Sequence, residues 1–183
     1  EVDGVWCFSI NADEGRKVAR EHYGARGWVC HQNTDLWRAA APMDGPSWGA
    51  FATAGAWLCT HLWEHYRFSG DLEFLRGVYP ILKSSAEFFM DTLCEDERGG
   101  WLLTNPSTSP ENFPLHPGND PFFDEVTGTM SPGTTLCAGS TIDLQILNDL
   151  FEAVTESARL LAVDWDFRNQ AVAVWQKLAP MQI

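Results

Sequence analysis

STIDLQILNDLFEAVTESARLL, residues 140–161, decides the fold class. Leu147, Leu150, Phe151, Val154, Ala158 and Leu161 recur at steps of three and four, the spacing of one helical face. Ser140-Thr141-Ile142-Asp143 in front resembles a capping box, with Asp where Glu or Gln is usual. Other segments read the same way. Residues 12–24 predict a short helix closed by Gly24. Residues 50–68 place Phe51, Ala54, Leu58, His61/Leu62 and His65 on one face, with Trp57 and Trp63 beside it, so a largely buried helix is expected. Ser69-Gly70-Asp71 stops that helix, and Asp71 caps the next. Pro80 divides residues 71–93 into two helical pieces, the second carrying Ala86, Phe89 and Leu93. Asp166 is expected to cap a last helix holding Ala171, Val174, Trp175 and Leu178. No segment shows convincing strand alternation or a hairpin turn. The expected class is all-α.

The connections alternate in length. They are short at 69–71 and 163–166 and long at 25–49 and 94–139. Helical hairpins stacked side by side, with function gathered on the long-loop end, fit that asymmetry. The chain has 183 residues, one domain's worth. It opens with EVDGVWCFSIN, without Met, and stops at WQKLAPMQI just after a helical pattern, so a piece of a longer protein is expected.

A net charge of −13 argues against nucleic acid and against an anionic membrane surface, both of which need clustered Lys and Arg. No apolar run approaches the roughly 20 residues of a membrane span, and no secretory leader pattern is present. Cys7, Cys30, Cys59, Cys94 and Cys137 are widely spaced without a C-x-x-C, which predicts buried free thiols rather than a zinc or redox site. Nine Trp suit either a large aromatic core or a surface that stacks on sugar-like ligands.

Two loops could carry chemistry. Residues 24–49 concentrate His31, Gln32, Asn33, Asp35, Trp37, Arg38, Asp44 and Trp48. Amides and carboxylates can satisfy sugar hydroxyls in both directions while an indole covers the C–H face; equally, Asn and Asp form local turns in solvated loops. A metal held by His31 and Asp35 is not expected, because that spacing needs a helix and a third ligand is lacking. Residues 101–119, WLLTNPSTSPENFPLHPGN, hold a single charged side chain, Glu111, between Pro110 and Asn112. No Lys or Arg lies between Arg98 and Arg159. A carboxyl group away from water and from cations stays protonated near neutral pH, as an acid catalyst must, and flanking prolines restrict its backbone. The competing reading is an exposed Glu in a Pro-rich linker. His116 reads as a surface residue, and Trp37, Trp57 and the Trp63/His65 face read as packing.

The stretches YGARGWVCHQNTDLW (23–37), GAWLCTHLWEHYRFSGDLEFL (55–75), YPILKSSAEFFMDTL (79–93), WLLTNPSTSPEN (101–112) and STIDLQILNDLFEAV (140–154) resemble, in order, the α-L-fucosidases of glycoside hydrolase family 95. The resemblance covers nearly the whole chain, and the NPSTSPEN run is unusual. It implies an (α/α)₆ barrel of six helical hairpins, of which residues 1–183 supply about half, flanked by β-domains elsewhere in the same polypeptide. It also implies release of terminal α-1,2-linked L-fucose with inversion, without cofactor or metal. The glutamate of the family's SPEN motif is its general acid, a role that falls on Glu111. The family's Asn-x-Asn motif and its base Asp have no counterpart in this sequence. Substrate contacts are expected at His31, Asn33, Asp35 and Trp48, with Asn112 beside the acid. The expected partner is a fucosylated glycan, not nucleic acid or membrane, and family analogy favours the periplasm or exterior. The rival readings are an L-galactose-releasing enzyme of the same family and a helical module that holds glycans without cleaving them. Asn-x-Asn upstream and an Asp-bearing helix downstream in a longer reading frame would separate catalysis from binding.

Overall fold

The computed structural model describes residues 4–43, 45–97, 99–109, 122–124, 129–131 and 136–181. The helices are α1 (Gly4–Tyr23), α2 (Pro46–Gly49), α3 (Ala54–Ser69), α4 (Leu72–Thr92), α5 (Thr141–Leu161) and α6 (Trp165–Trp175). Short strands lie between α4 and α5: β1 (Cys94–Glu95), β2 (Leu102–Leu103), β3 (Ser107–Thr108), β4 (Phe122–Asp124), β5 (Thr129–Ser131) and β6 (Leu136–Cys137). The fold is mostly helical, as expected, and consistent with part of an all-α barrel.

The 140–161 pattern folds as read. Leu147, Leu150, Phe151, Val154 and Ala158 are fully buried, and α5 packs against α3, α4 and α6. Burying one such large side chain contributes about 1.5–3 kcal/mol. Polar residues also sit inside, because Thr155 and Ser157 donate their hydroxyls to the Phe151 and Ala153 carbonyls one turn back.

Both short connections are confirmed. Gly70 ends α3 with φ 67°, a left-handed conformation that suits a residue without Cβ. Asp71 caps α4, one carboxylate oxygen accepting from the Glu73 and Phe74 amides. Between α5 and α6, Ala162 and Asp164 are both left-handed. Asp164, not Asp166, is the residue at the cap of α6. Its carboxylate accepts from Tyr79 and Lys83 on α4 instead of from its own helix.

Four further expectations need correction. Residues 72–92 form one helix with Pro80 inside it, not two pieces. An interior proline costs about 3 kcal/mol, less than burial of Leu75, Val78, Ile81 and Leu82 on either side of it returns. Helix α3 buries Gly55, Ala56, Cys59 and Leu62, whereas His61 and His65 are exposed and Trp57 is half-exposed. The small residues let α3 approach its neighbours closely; the face chosen from the sequence lies a third of a turn away. Antiparallel strand pairs do exist: β1–β2 and β4–β5 are hairpins, and β3 pairs with β6, which is not its neighbour in sequence. Finally, Cys30 and Cys59 are buried free thiols as expected, but Cys94 is exposed.

Replacing Leu150 with Ala should lower stability by about 2–5 kcal/mol, and Asp71→Ala by about 0.5–2 kcal/mol. Urea unfolding followed by tryptophan fluorescence measures both, and the core substitution must exceed the cap.

Candidate active site

The two long loops meet at one end of the helices. The first leaves α1 at Tyr23 and passes Gly27, whose added Cβ would run into the Ser84 carbonyl. Arg26 grips Asp91 near the end of α4 with two parallel bonds of 2.7 and 2.9 Å, which hold the Asp91 carboxyl below its ordinary range. Trp28 is fully buried, and its indole donates to the Ile81 carbonyl at 3.0 Å. The Cys30 carbonyl then accepts from the Gly55 amide in the first turn of α3, which has no side-chain cap of its own.

His31 is only 1% exposed. Its Nδ1 lies 2.7 Å from the Ala40 carbonyl, and its Nε2 lies 2.6 Å from the Tyr23 hydroxyl. A carbonyl can only accept, so Nδ1 carries the hydrogen and Nε2 accepts from Tyr23. Burial pushes the imidazole pKa below its usual value, and the ring is neutral. The His31 amide also donates to Ala40, so residues 31–40 form a closed loop. At its tip, one oxygen of Asp35 accepts from the Trp37 and Ala39 amides and so forms a local turn.

Trp37, its amide held by Asp35, is 82% exposed at that tip and not packed in the core. Trp57 is likewise half-exposed, whereas Trp63 is half-buried and stacks on Tyr66. Trp48, in α2, is half-exposed, and Asn33 is half-buried.

The second loop enters through β2. Leu102 exchanges backbone bonds with Lys177 and Ala179 beyond α6. Thr104 follows, buried, its carbonyl accepting from the Gly139 amide. Asn105 and Pro106, joined by a cis peptide bond, border a cavity of about 500 Å³. Tyr23, Met43, Gly49, Phe88 and Phe89 form its other walls. Ser107 and Thr108 are buried and pair with Cys137 and Leu136. Glu111 and Asn112 lie outside the described residues, as do Asp44 and His116.

A second hollow of about 320 Å³ lies on the far side of His31, lined by Gln32, Thr34, Trp57 and His61 among others. The buried Gln32 Oε1 has no hydrogen-bond partner there among the described atoms. The Tyr23–His31 bond stands between the two hollows, Tyr23 facing the first and His31 the second.

The two loops are joined by a residue that the sequence presented only as a cap. Asp143 in the first turn of α5 is fully buried. One of its carboxylate oxygens accepts from Thr53 Oγ1 at 2.7 Å and the other from Thr104 Oγ1 at 2.5 Å. Thr53 is the last residue before α3. The Asp for Glu at this position was the available signal. Tyr23, Phe88 and Phe89 carried none, since they read as ordinary helix residues.

Residues 7–183 match the glycosyl hydrolase family 95 catalytic domain. The chain belongs to that family. It is similar to "Alpha-L-fucosidase 2" of Arabidopsis thaliana, 36% identical over 179 residues, covering 96% of this chain and 20% of that protein. It is also similar to "Probable alpha-fucosidase A" of Aspergillus niger, 30% identical over 186 residues, covering 98% of this chain and 21% of that protein. The chain thus spans about a fifth of the length of these curated relatives. Within this family 95 domain, the first half of the NPSTSPEN run is an anchored ladder segment, and the long loops gather at one end, as the connection lengths suggested.

A histidine whose folded-state pKa is depressed binds its proton more readily when unfolded. Stability should therefore be full above 6.5, the ordinary histidine value, and fall as pH drops through it toward the lower folded value. Urea midpoints between pH 7 and about 5 should decline in the parent and decline less in His31→Gln.

Proposed function

We propose that the whole protein is an inverting glycoside hydrolase that releases terminal α-1,2-linked L-fucose, with Glu111 as general acid. The observation that carries this reading is the fixed segment Thr104–Thr108: Thr104, Asn105 and Pro106 border the cavity, Ser107 and Thr108 are held in a ladder, and Glu111 comes three positions later in the sequence. Family membership and the relatives' names support the activity class.

In this reading, the protonated Glu111 carboxyl gives its hydrogen to the glycosidic oxygen as the bond to the fucose carbon breaks. A base across the sugar takes a proton from water, and the water attacks from the opposite face. Such carboxyl pairs stand about 6.5–9.5 Å apart to leave room for the water. The sequence holds no Asn-x-Asn to assist that water. The 183 residues by themselves are therefore expected to release no fucose. Asn112 stands next in sequence to the acid, and in this reading Asn33, Asp35, Trp48 and the His31 loop contact the sugar from outside the cavity, whose described lining includes none of His31, Asn33, Asp35 and Trp48. Asp35 contributes through its second oxygen, since the first holds the turn.

Glu111→Gln keeps the size of the side chain but cannot donate an acidic proton. In the whole protein it should reduce kcat on natural fucosides by about 10²–10⁴-fold while circular dichroism and the urea midpoint stay at parent values. A rate near that of the parent would remove Glu111 from the mechanism.

A further inference from the structure

We propose that Asp143 is a positioning residue for catalysis: through Thr104 it fixes the segment that carries the acid, and through Thr53 it fixes that segment relative to the first loop. The proposal rests on the reading of Glu111 as the acid.

A fully buried carboxylate is costly unless its oxygens are satisfied. Here each oxygen accepts one threonine hydroxyl, at 2.7 and 2.5 Å, and the group lies in the first turn of α5, where the helix dipole favours negative charge. In a capping box the side chain would reach back to the amide of the cap residue. Asp143 instead turns toward two other elements, while Ser140 alone caps, accepting from the Asp143 amide at 3.4 Å. Thr53 makes the matching choice. It stands at the cap of α3 yet makes no cap bond, and its hydroxyl goes to Asp143.

Three elements are thereby fixed to one another at a single point. Thr104 is held at both ends, its hydroxyl by Asp143 and its carbonyl by the Gly139 amide just before α5. Three residues later Ser107 and Thr108 join the ladder with β6. Glu111 follows Thr108 by three positions. The described segment Thr104–Thr108 ahead of it is therefore set from α5 rather than from the loop itself. Charge-assisted hydrogen bonds are short and directional, which suits them to fixing a distance. A proton donor displaced by about 1 Å can lose about 10²-fold in rate.

The test separates positioning from general stability by leaving group. An activated aryl fucoside departs with little need of a proton, whereas a natural fucoside needs one. In the whole protein, Thr104→Val keeps the side-chain volume and removes only the hydroxyl that Asp143 holds. The ratio of kcat on a natural fucosyl-oligosaccharide to kcat on the aryl fucoside should fall about tenfold or more. Thr104→Ser, which keeps the hydroxyl, should restore the ratio to within about twofold of the parent. Glu111→Gln serves as the reference and should collapse the same ratio further. If Glu111→Gln collapses the ratio but Thr104→Val leaves it unchanged, or lowers both rates equally, the role given to Asp143 is wrong while that of Glu111 stands. If Glu111→Gln leaves the ratio unchanged, the reading of the acid itself falls.

Discussion

Helix α5 is enclosed on most of its circumference, and that enclosure organises the rest. Its large apolar residues contact α3, α4 and α6 at once, so displacing any of those helices exposes several side chains worth about 1.5–3 kcal/mol each. Even its hydroxyl residues are turned inward and bonded along the helix axis. A helix so placed is a stable reference for whatever is attached to its ends. What is attached at its first turn is polar: Ser140, Asp143 and, through them, both long loops.

The long-loop end is held by a different kind of interaction. There the backbone groups outside the short ladders must find partners one by one. The Cys30 carbonyl takes the Gly55 amide, the Ala40 carbonyl takes two donors from His31, and the Thr104 carbonyl takes Gly139. Each bond alone is worth about 0.5–1.5 kcal/mol, yet leaving the group buried and unmet would cost more. These loops are thus positioned by satisfaction of polar groups, and the helices below them by exclusion of water. This division suits a family 95 domain, in which rigid packing can carry a precisely spaced polar site.

Helix existence and the short turns were legible because their signals are local. Gly70 and Asp71 act within one turn of chain, and the α5 stripe from Leu147 to Leu161 repeats over about four turns. Pro80 misled because its penalty is local while the burial that outweighs it comes from other helices. The orientation of α3 misled because Trp, Leu and His offered several faces of similar polarity, and contact with α4 and α5 chose among them. The ladders of two or three residues are too short to show alternation, and one pairs Thr108 with Leu136, far apart in the sequence. Trp37 looked like core by composition, but the Asp35 turn projects it outward.

By itself, the sequence determined the class, the helical hairpins, the long-loop end and the family, each through a pattern readable within a few turns or one continuous motif. Tertiary structure decided what the polar residues do. His31 became a neutral strut between Tyr23 and Ala40, Asp35 a turn former, and Asp143 a clamp between loops fifty-one residues apart at Thr53 and Thr104. The reason is physical. A side-chain oxygen or nitrogen has the same donors and acceptors wherever it stands, and only the fold determines which distant group arrives within hydrogen-bonding distance of it.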